Sequence, residues 1–294
     1  MTEDIGKQLY SVVKKDVVEK LKTNHNILAL EKKIKTNTAT YEDAYNYAEL
    51  VGNLVSDSLK THITADVLPD GKMYYNIAES IVRPVLSGNY ETVSKYTASV
   101  QTILNRNAGL FVNGIQSDVN MNRIDGIIDK ISDADDFNKV KWLLDEPVVN
   151  YSQHAVDETQ KANLEMHKYM GLEPVIKRVS TGKCCNWCKN LVGTYKYPDE
   201  CPDDVYKRHR GCRCMVLYNP MDGRGVQDIN KKELGFTSEQ DLKKRIEYSE
   251  SAVSAKFGQK RLDRIAERKK REAEKKAKQE AEKAERIKQQ GEKK

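Results

Sequence analysis

The sequence predicts an α+β fold that is mainly α-helical, with a small β module late in the chain and a long, charged C-terminal helix or tail. Apolar residues recur at three- and four-residue steps through the first 170 residues, which is the helical period. Short β-like runs then surround all six cysteines of the chain. The segment 260–294 is rich in Lys, Arg and Glu and has few large apolar side chains.

The helical part is clearest after Thr40, which is a typical N-cap residue followed by two acids. A core-facing stripe follows it, formed by Ala44, Tyr47, Ala48, Val51, Leu54 and Val55. Residues 69–71 and 87–89 contain glycine beside Pro, Asp, Ser or Asn, and this composition predicts two turns. Residues 93–104 predict another helix, and residues 125–145 predict short helices with loops.

The most clearly predicted long helix covers residues 150–170 and ends before Gly171, since glycine often follows a helix end. Its apolar stripe consists of Ala155, Thr159, Ala162, Met166 and Met170. Three strands are predicted afterwards, at 175–179, 193–197 and 214–218, because β-branched and aromatic residues alternate there before turn signals. A last helical region is predicted to start at Ser238.

These elements divide the chain into four predicted segments: a helical body (1–145), a cysteine-containing module (146–222), a linker with a helix (223–258) and a basic tail (259–294). Residues 260–294 carry 15 Lys and Arg against 8 acids, whereas the rest of the chain carries 35 against 36. The basic excess therefore belongs to the tail, and a near-neutral body is not expected to bind nucleic acid.

The tail is predicted to bind DNA without sequence preference, through contacts with phosphates. The expected contact residues are Arg264, Arg268, Lys269, Lys270, Arg271, Lys275, Lys276 and Lys278. A solvated helix without a partner is the competing interpretation, because Glu residues precede Lys or Arg by four positions along it.

Composition also bears on the compartment and on the use of the cysteines. The sequence has no run of 18 apolar residues and no signal-like N-terminus, so we expect no membrane span and synthesis in a reducing cytoplasm. In that environment clustered cysteines are metal ligands or buried thiols more often than disulfides.

The cysteine spacing predicts one structural zinc ion. Two ligand groups separated by a loop form the usual layout of such a site, and here they are C-x-x-C and H-x-x-C-x-C. Five residues compete for four places: Cys185, Cys188, His209, Cys212 and Cys214. Cys184 and Cys201 lie outside the pattern. Reduced, packed thiols without metal are the alternative. A metal is favoured because residues 175–220 hold few large apolar side chains for a core of their own.

Enzyme patterns that share parts of this motif do not fit. A zinc deaminase needs a His-x-Glu or Cys-x-Glu triplet and a proline before the C-x-x-C, and both are missing. A thioredoxin-like pair needs a βαβ unit, which is not predicted. A nuclease with catalytic histidines needs more than His209 near the cysteines, and a Cys201–His209 nucleophile has no supporting pattern. We therefore expect no catalytic activity and no small-molecule substrate.

The chain resembles the minor head proteins of tailed bacteriophages, the family related to the F protein of phage Mu and described as head morphogenesis proteins. The resemblance covers residues 150–220 and rests on the residues 155–159, Ala162-Asn163, Gly171-Leu172, Lys177-Arg178, the C-x-x-C, Gly193 and the H-x-x-C-R-C close. Within the H-x-x-C-R-C motif, the family has Pro and Asn where this chain has Arg210 and Gly211, so the geometry of this turn is a point that the structure must test.

The resemblance implies a low-copy structural protein of the virion, inside the capsid near the portal, that acts in head assembly and in packaging or ejecting DNA. Its implied partners are the portal protein or the major capsid protein. We expect the helical body to make this contact, with tyrosines on its helices (Tyr41, Tyr45, Tyr47, Tyr74 and Tyr75) suited to an interface. The alternative is a zinc-containing nucleic-acid-binding regulator, which acids at 199, 200, 203 and 204 disfavour because they interrupt the basic residues of the module.

Overall fold

The computed structural model of the protein describes residues 5–182 and 184–220, together with Asp263, Ala266, Glu267 and Lys270. The chain forms two compact units. The first contains the residues up to Glu165 and those from Glu173 to Gly225, and the second contains 166–172 and 226–294. Within the described residues, no helix is long and apolar enough to cross a membrane.

The described part of the chain is mainly helical, as predicted. The α-helices are α1 (Ile5–Thr23), α2 (His25–Lys35), α3 (Tyr41–His62), α4 (Tyr75–Asn107), α5 (Met121–Ser132), α6 (Phe137–Val140), α7 (Glu146–Tyr169) and α8 (Asn186–Asn190). Short 3-10 helices cover Ala65–Val67, Pro69–Gly71 and Lys141–Leu144. The strands are β1 (Val175–Val179), β2 (Gly193–Lys196) and β3 (Met215–Tyr218).

Helix α3 begins where the sequence predicts it, at a capping box. The backbone N–H of Thr40 donates to Asp43 Oδ2 at 3.0 Å, and the N–H of Asp43 donates to Thr40 Oγ1 at 3.5 Å. All six residues of the predicted stripe are buried, so this face of α3 forms part of the core.

Helix α4 contradicts the turn predicted at 87–89, because it continues through those residues for a total of 33. Tertiary packing outweighs the cost of about 1 kcal/mol that a helical glycine carries. Asn89 is buried and donates from Nδ2 to Ser152 Oγ at 2.7 Å, and Tyr90 and Val93 are buried on the same helix. The predicted turn at 69–71 is confirmed as a 3-10 turn with Gly71 at φ 67°.

The region 125–145 consists of short helices and loops, as predicted, and α7 starts four residues earlier than expected. Gly171 follows the end of α7 with φ 82°, the left-handed conformation that glycine adopts without strain.

The predicted tyrosine interface is wrong for three of its five members. Tyr41, Tyr45 and Tyr47 are buried in the core. The hydroxyl of Tyr41 donates to Gln101, that of Tyr45 donates to Asp157, and the ring of Tyr47 stacks on that of Tyr96. Tyr74 and Tyr75 are 40% and 48% exposed, so they remain available to a partner.

The three strands form one antiparallel sheet with the order β2-β1-β3, which confirms the small β module. In its register Arg178 faces Gly193 on one side and Val216 on the other. Ile176, Val216 and Tyr218 belong to the same buried cluster as the helices of the body. The boundary predicted at residue 146 stays a prediction, and the apolar side of the sheet shares the core of the helical body.

Candidate metal centre

The first ligand pair lies on a tight turn that the C-x-x-C spacing creates. Cys185 is the N-cap of α8, and its Sγ accepts the backbone N–H of Cys188 at 3.4 Å. This hydrogen bond places the two sulfurs on one side of the turn. Cys188 is buried and Cys185 is exposed, so the pair reaches from the interior of the module to its surface.

The second pair lies on another turn with the same three-residue spacing. The N–H of Cys212 donates to the carbonyl oxygen of His209 at 3.1 Å, and Gly211 has φ 72°. A β-turn with a positive φ at its third residue requires glycine or asparagine there. Cys214 lies two residues further along, directly before β3.

The five predicted ligands come together in two overlapping triads. Cys185, Cys188 and His209 form one, and Cys188, Cys212 and Cys214 form the other. Within each triad the donor atoms all lie within 4.8 Å of one another, and Cys188 is common to both. The arrangement could therefore hold a metal ion, and Cys188 is the residue at its centre.

His209 presents Nε2 to the sulfurs. This atom lies 3.3 Å from Cys185 Sγ and 3.1 Å from Cys188 Sγ. The other ring nitrogen, Nδ1, is 2.8 Å from the carbonyl oxygen of Arg210, which only accepts hydrogen bonds. Nδ1 therefore carries the proton in the neutral ring, and Nε2 keeps the lone pair that a metal ligand needs.

Burial disfavours ionisation of two thiols of the second triad, those of Cys188 and Cys214. Removal from water raises the pKa of Cys188 well above its usual range, and burial also raises the pKa of Cys214. The hydrogen bond from the N–H of Cys188 lowers the pKa of Cys185, which is at the surface. A bound cation would stabilise the thiolate forms of all three residues.

The two cysteines predicted to lie outside the pattern are not members of either triad. Cys184 packs against the cluster of Cys188, Cys212 and Cys214. Cys201 contacts the carbonyl oxygen of Lys196 at 3.7 Å, and burial raises its pKa to about 11. Cys201 is therefore the natural control for experiments on the cluster.

A buried ion pair anchors the His209 turn to the helical body, and sequence reasoning missed it. Arg208 donates from Nε and Nη2 to the two oxygens of Asp157 at 2.6 and 2.8 Å, and both side chains are nearly inaccessible to water. Tyr45 donates its hydroxyl to the same carboxylate at 2.6 Å. Burial opposes the charge on Arg208, but the Asp157 carboxylate raises the pKa of the guanidinium. Arg208 also donates to the carbonyl oxygen of Cys214 at 2.6 Å.

Two further residues of α7 hold the ligand segments through side-chain amides. Asn150 Nδ2 donates to the carbonyl oxygen of His209 at 3.0 Å, and Gln160 Nε2 donates to that of Val216 at 2.8 Å. The sequence does indicate these two residues, but through the spacing of polar residues and not through that of apolar ones. Polar residues at helical spacing form a buried stripe along α7, at Asn150, Gln153, Asp157, Gln160 and Asn163. Such a stripe inside a core indicates that another segment must satisfy it.

Of the eight residues predicted to bind DNA, the structure describes Lys270, which is exposed and in a helical conformation. The other seven lie outside the described residues, as does the helical region predicted from Ser238 apart from Asp263, Ala266, Glu267 and Lys270, which are helical.

Comparison with protein-family models, curated proteins and solved structures found no match for this chain.

Proposed function

We propose that the cluster holds one structural zinc ion through Cys185, Cys188, His209 and Cys212. Tetrahedral zinc with bonds of about 2.3 Å to sulfur and 2.0–2.1 Å to nitrogen requires separations of about 3.8 Å between sulfurs and 3.6 Å between sulfur and nitrogen. The Cys188 and Cys212 sulfurs are 3.7 Å apart, and the Nε2 contacts of His209 are 3.1 and 3.3 Å. These three separations are close to the tetrahedral values. The sulfur of Cys212 shares a triad with Cys188 and Cys214 and not with Cys185 and His209, so the proposed set requires that sulfur to move toward those two residues when the ion binds.

The two matching turns favour Cys212 over Cys214 as the fourth ligand. Cys185 with Cys188, and His209 with Cys212, each place two donors three residues apart on a hydrogen-bonded turn. Cys214 lies beyond the second turn, on the segment that enters β3. Four protein ligands leave no open position for water, so the ion would supply folding free energy and no catalysis.

We further propose that the protein is a structural and assembly protein of a phage head, carried inside the capsid near the portal. The observation that carries this proposal is the C-x-x-C and H-x-x-C-R-C cluster, which resembles that of the minor head proteins. The departure at Arg210 and Gly211 is compatible with the same turn. Proline suits the second position of such a turn, and asparagine tolerates the positive φ that Gly211 adopts at the third.

The assembly role is tested with purified particles and with the portal protein. The protein is expected in virions by mass spectrometry, and it is expected to co-purify with the portal or major capsid protein encoded by neighbouring genes. Deletion of residues 260–294 should leave that association intact, because the described body is the expected contact region. Absence from particles and no association with either protein would contradict the proposal. Sequence-specific DNA binding by the same preparation would favour the regulator.

The tail is proposed to contact packaged DNA through phosphates. Replacing the eight predicted contact residues with glutamine should abolish non-specific binding to duplex DNA in a filter or anisotropy assay. Binding by the unaltered chain should fall steeply with salt, with a log–log slope of about −0.9 per neutralised phosphate. A control that replaces four lysines of the body with glutamine (Lys7, Lys14, Lys15 and Lys22) should bind normally. Unchanged binding after the tail substitutions would place the contact elsewhere.

A further inference from the structure

Arg178 is a buried cation in the middle strand of the sheet. Its side chain is among the largest fully buried ones, and the residue is 1% exposed. A guanidinium keeps its charge under all conditions relevant to proteins, so burial at this position requires a compensating anion or a full set of hydrogen bonds.

The hydrogen bonds of Arg178 are incomplete. Its Nη1 donates to the carbonyl oxygen of Val205, and its Nη2 donates to that of Lys207 at 3.2 Å. Its Nε is buried without a partner among the described residues. The ring of Trp187 lies 5.8 Å from the guanidinium carbon and contributes a weak cation–π contact.

No carboxylate among residues 5–182 and 184–220 forms an ion pair with Arg178. The nearby buried arginine, Arg208, differs in this respect because Asp157 neutralises it. The sulfur that Arg178 contacts is that of Cys188, since Nη2 lies 3.9 Å from Cys188 Sγ, and its charge also acts on the thiol of Cys214. Cys188 is also the residue that both triads share.

We propose that Arg178 is the counter-ion of the metal–thiolate centre and sets its ligand composition to three thiolates and one neutral histidine. This inference rests on the proposed zinc site. A dication with three thiolates and one imidazole has a net charge of −1, which one guanidinium neutralises. With the guanidinium included, a site of four thiolates would have a net charge of −1. A site of two thiolates and two histidines would have a net charge of +1. Arg178 thus acts as a specificity-determining residue for the metal site, because an unbalanced charge is costly in a buried environment.

The alternative role of Arg178 is mechanical, since it also holds the carbonyl groups of Val205 and Lys207 before the His209 turn. Arg178→Gln separates the two roles because it removes the charge and keeps an amide donor. Outer-shell substitutions typically reduce metal affinity by about 10–100-fold, and we expect that loss for Arg178→Gln in competition with a chromophoric zinc chelator. Arg178→Lys restores the charge and should recover most of the affinity. Arg123→Met, which removes an arginine that stacks on Tyr151 outside the sheet, should bind zinc normally.

A charge swap gives the decisive comparison. Cys212→His lowers the number of thiolates by one. In the protein that keeps Arg178 it should weaken zinc binding strongly, because the site then has an excess positive charge. In the Arg178→Gln variant the same substitution should weaken binding much less. Cobalt(II) bound to the unaltered protein should show the thiolate charge-transfer intensity of three cysteines, which tests the ligand count even if a variant fails to fold.

The outcomes separate this inference from the proposed zinc site. If the unaltered protein binds no zinc, the proposed site is wrong. If it binds one zinc but Arg178→Gln binds equally well, or Lys fails to rescue, or the two substitutions combine additively, Arg178 is not the counter-ion. A cobalt spectrum of two or four thiolates would also overturn the proposed composition.

Discussion

Cys188→Ser is expected to abolish metal binding and to unfold the segment from Glu173 to Pro220. Cys188 is buried, belongs to both triads and lies within 4 Å of the donor atoms of His209 and Cys212. A serine hydroxyl does not ionise near neutral pH and does not replace a thiolate ligand. Structural zinc contributes on the order of 10–16 kcal/mol to small metal-dependent folds, far more than a sheet of this size supplies. The zinc-to-protein ratio from elemental analysis and limited proteolysis of the module are the measurements.

Two other cysteines provide matched controls for this experiment. Cys201→Ser should retain one zinc per chain, because Cys201 lies outside both triads. Cys214→Ser should also retain the ion if Cys212 is the fourth ligand, whereas Cys212→Ser should lose it. Protein purified without added metal that contains no zinc, and whose six thiols all titrate in the native state, would show that the cysteines are packed thiols.

Asp157→Asn is expected to lower the free energy of unfolding by about 3–5 kcal/mol, the usual cost of removing one partner from a buried ion pair. The substitution is nearly isosteric, so it leaves the Arg208 guanidinium buried with no compensating charge. The hydroxyl of Tyr45 also loses a charged acceptor. Urea-induced unfolding followed by circular dichroism, with zinc in fixed excess, measures the change.

Asp204→Asn is the control for that experiment because it breaks an exposed ion pair in the same module. Lys207 Nζ lies 2.5 Å from Asp204 Oδ1, but the two side chains are 67% and 38% exposed. Exposed pairs contribute about 0–1 kcal/mol, so the midpoint should barely move. A cost below about 1 kcal/mol for Asp157→Asn would mean that water or another group satisfies Arg208.

Several elements were predictable because their signals are local. The capping box at Thr40, the period of the α3 stripe and the left-handed Gly171 are properties of neighbouring residues, and the structure confirms all three. The strands were also predictable to within one residue, since the turn signals that end them lie beside them. The clustering of the five candidate ligands was predictable because C-x-x-C and H-x-x-C each form their turn within four residues.

The errors have a common physical origin. Residues 87–89 form a turn by composition, but burial of Asn89 and Tyr90 holds them in α4. The tyrosines of α3 suit an interface by residue type, but the body itself covers Tyr41, Tyr45 and Tyr47. In both cases packing against distant segments outweighs a weak local preference.

By itself the sequence determined the helical body, the small sheet, the five clustered candidate ligands and the separation of basic charge into the tail. Only the tertiary structure decided how the ligand turns are held and which charges surround them. Arg208 pairs with Asp157 across 51 positions, and Arg178 of β1 contacts Cys188 of α8. Such pairs leave no periodic pattern in the sequence, because the partner of a buried charge is determined only when separate segments of the chain pack together.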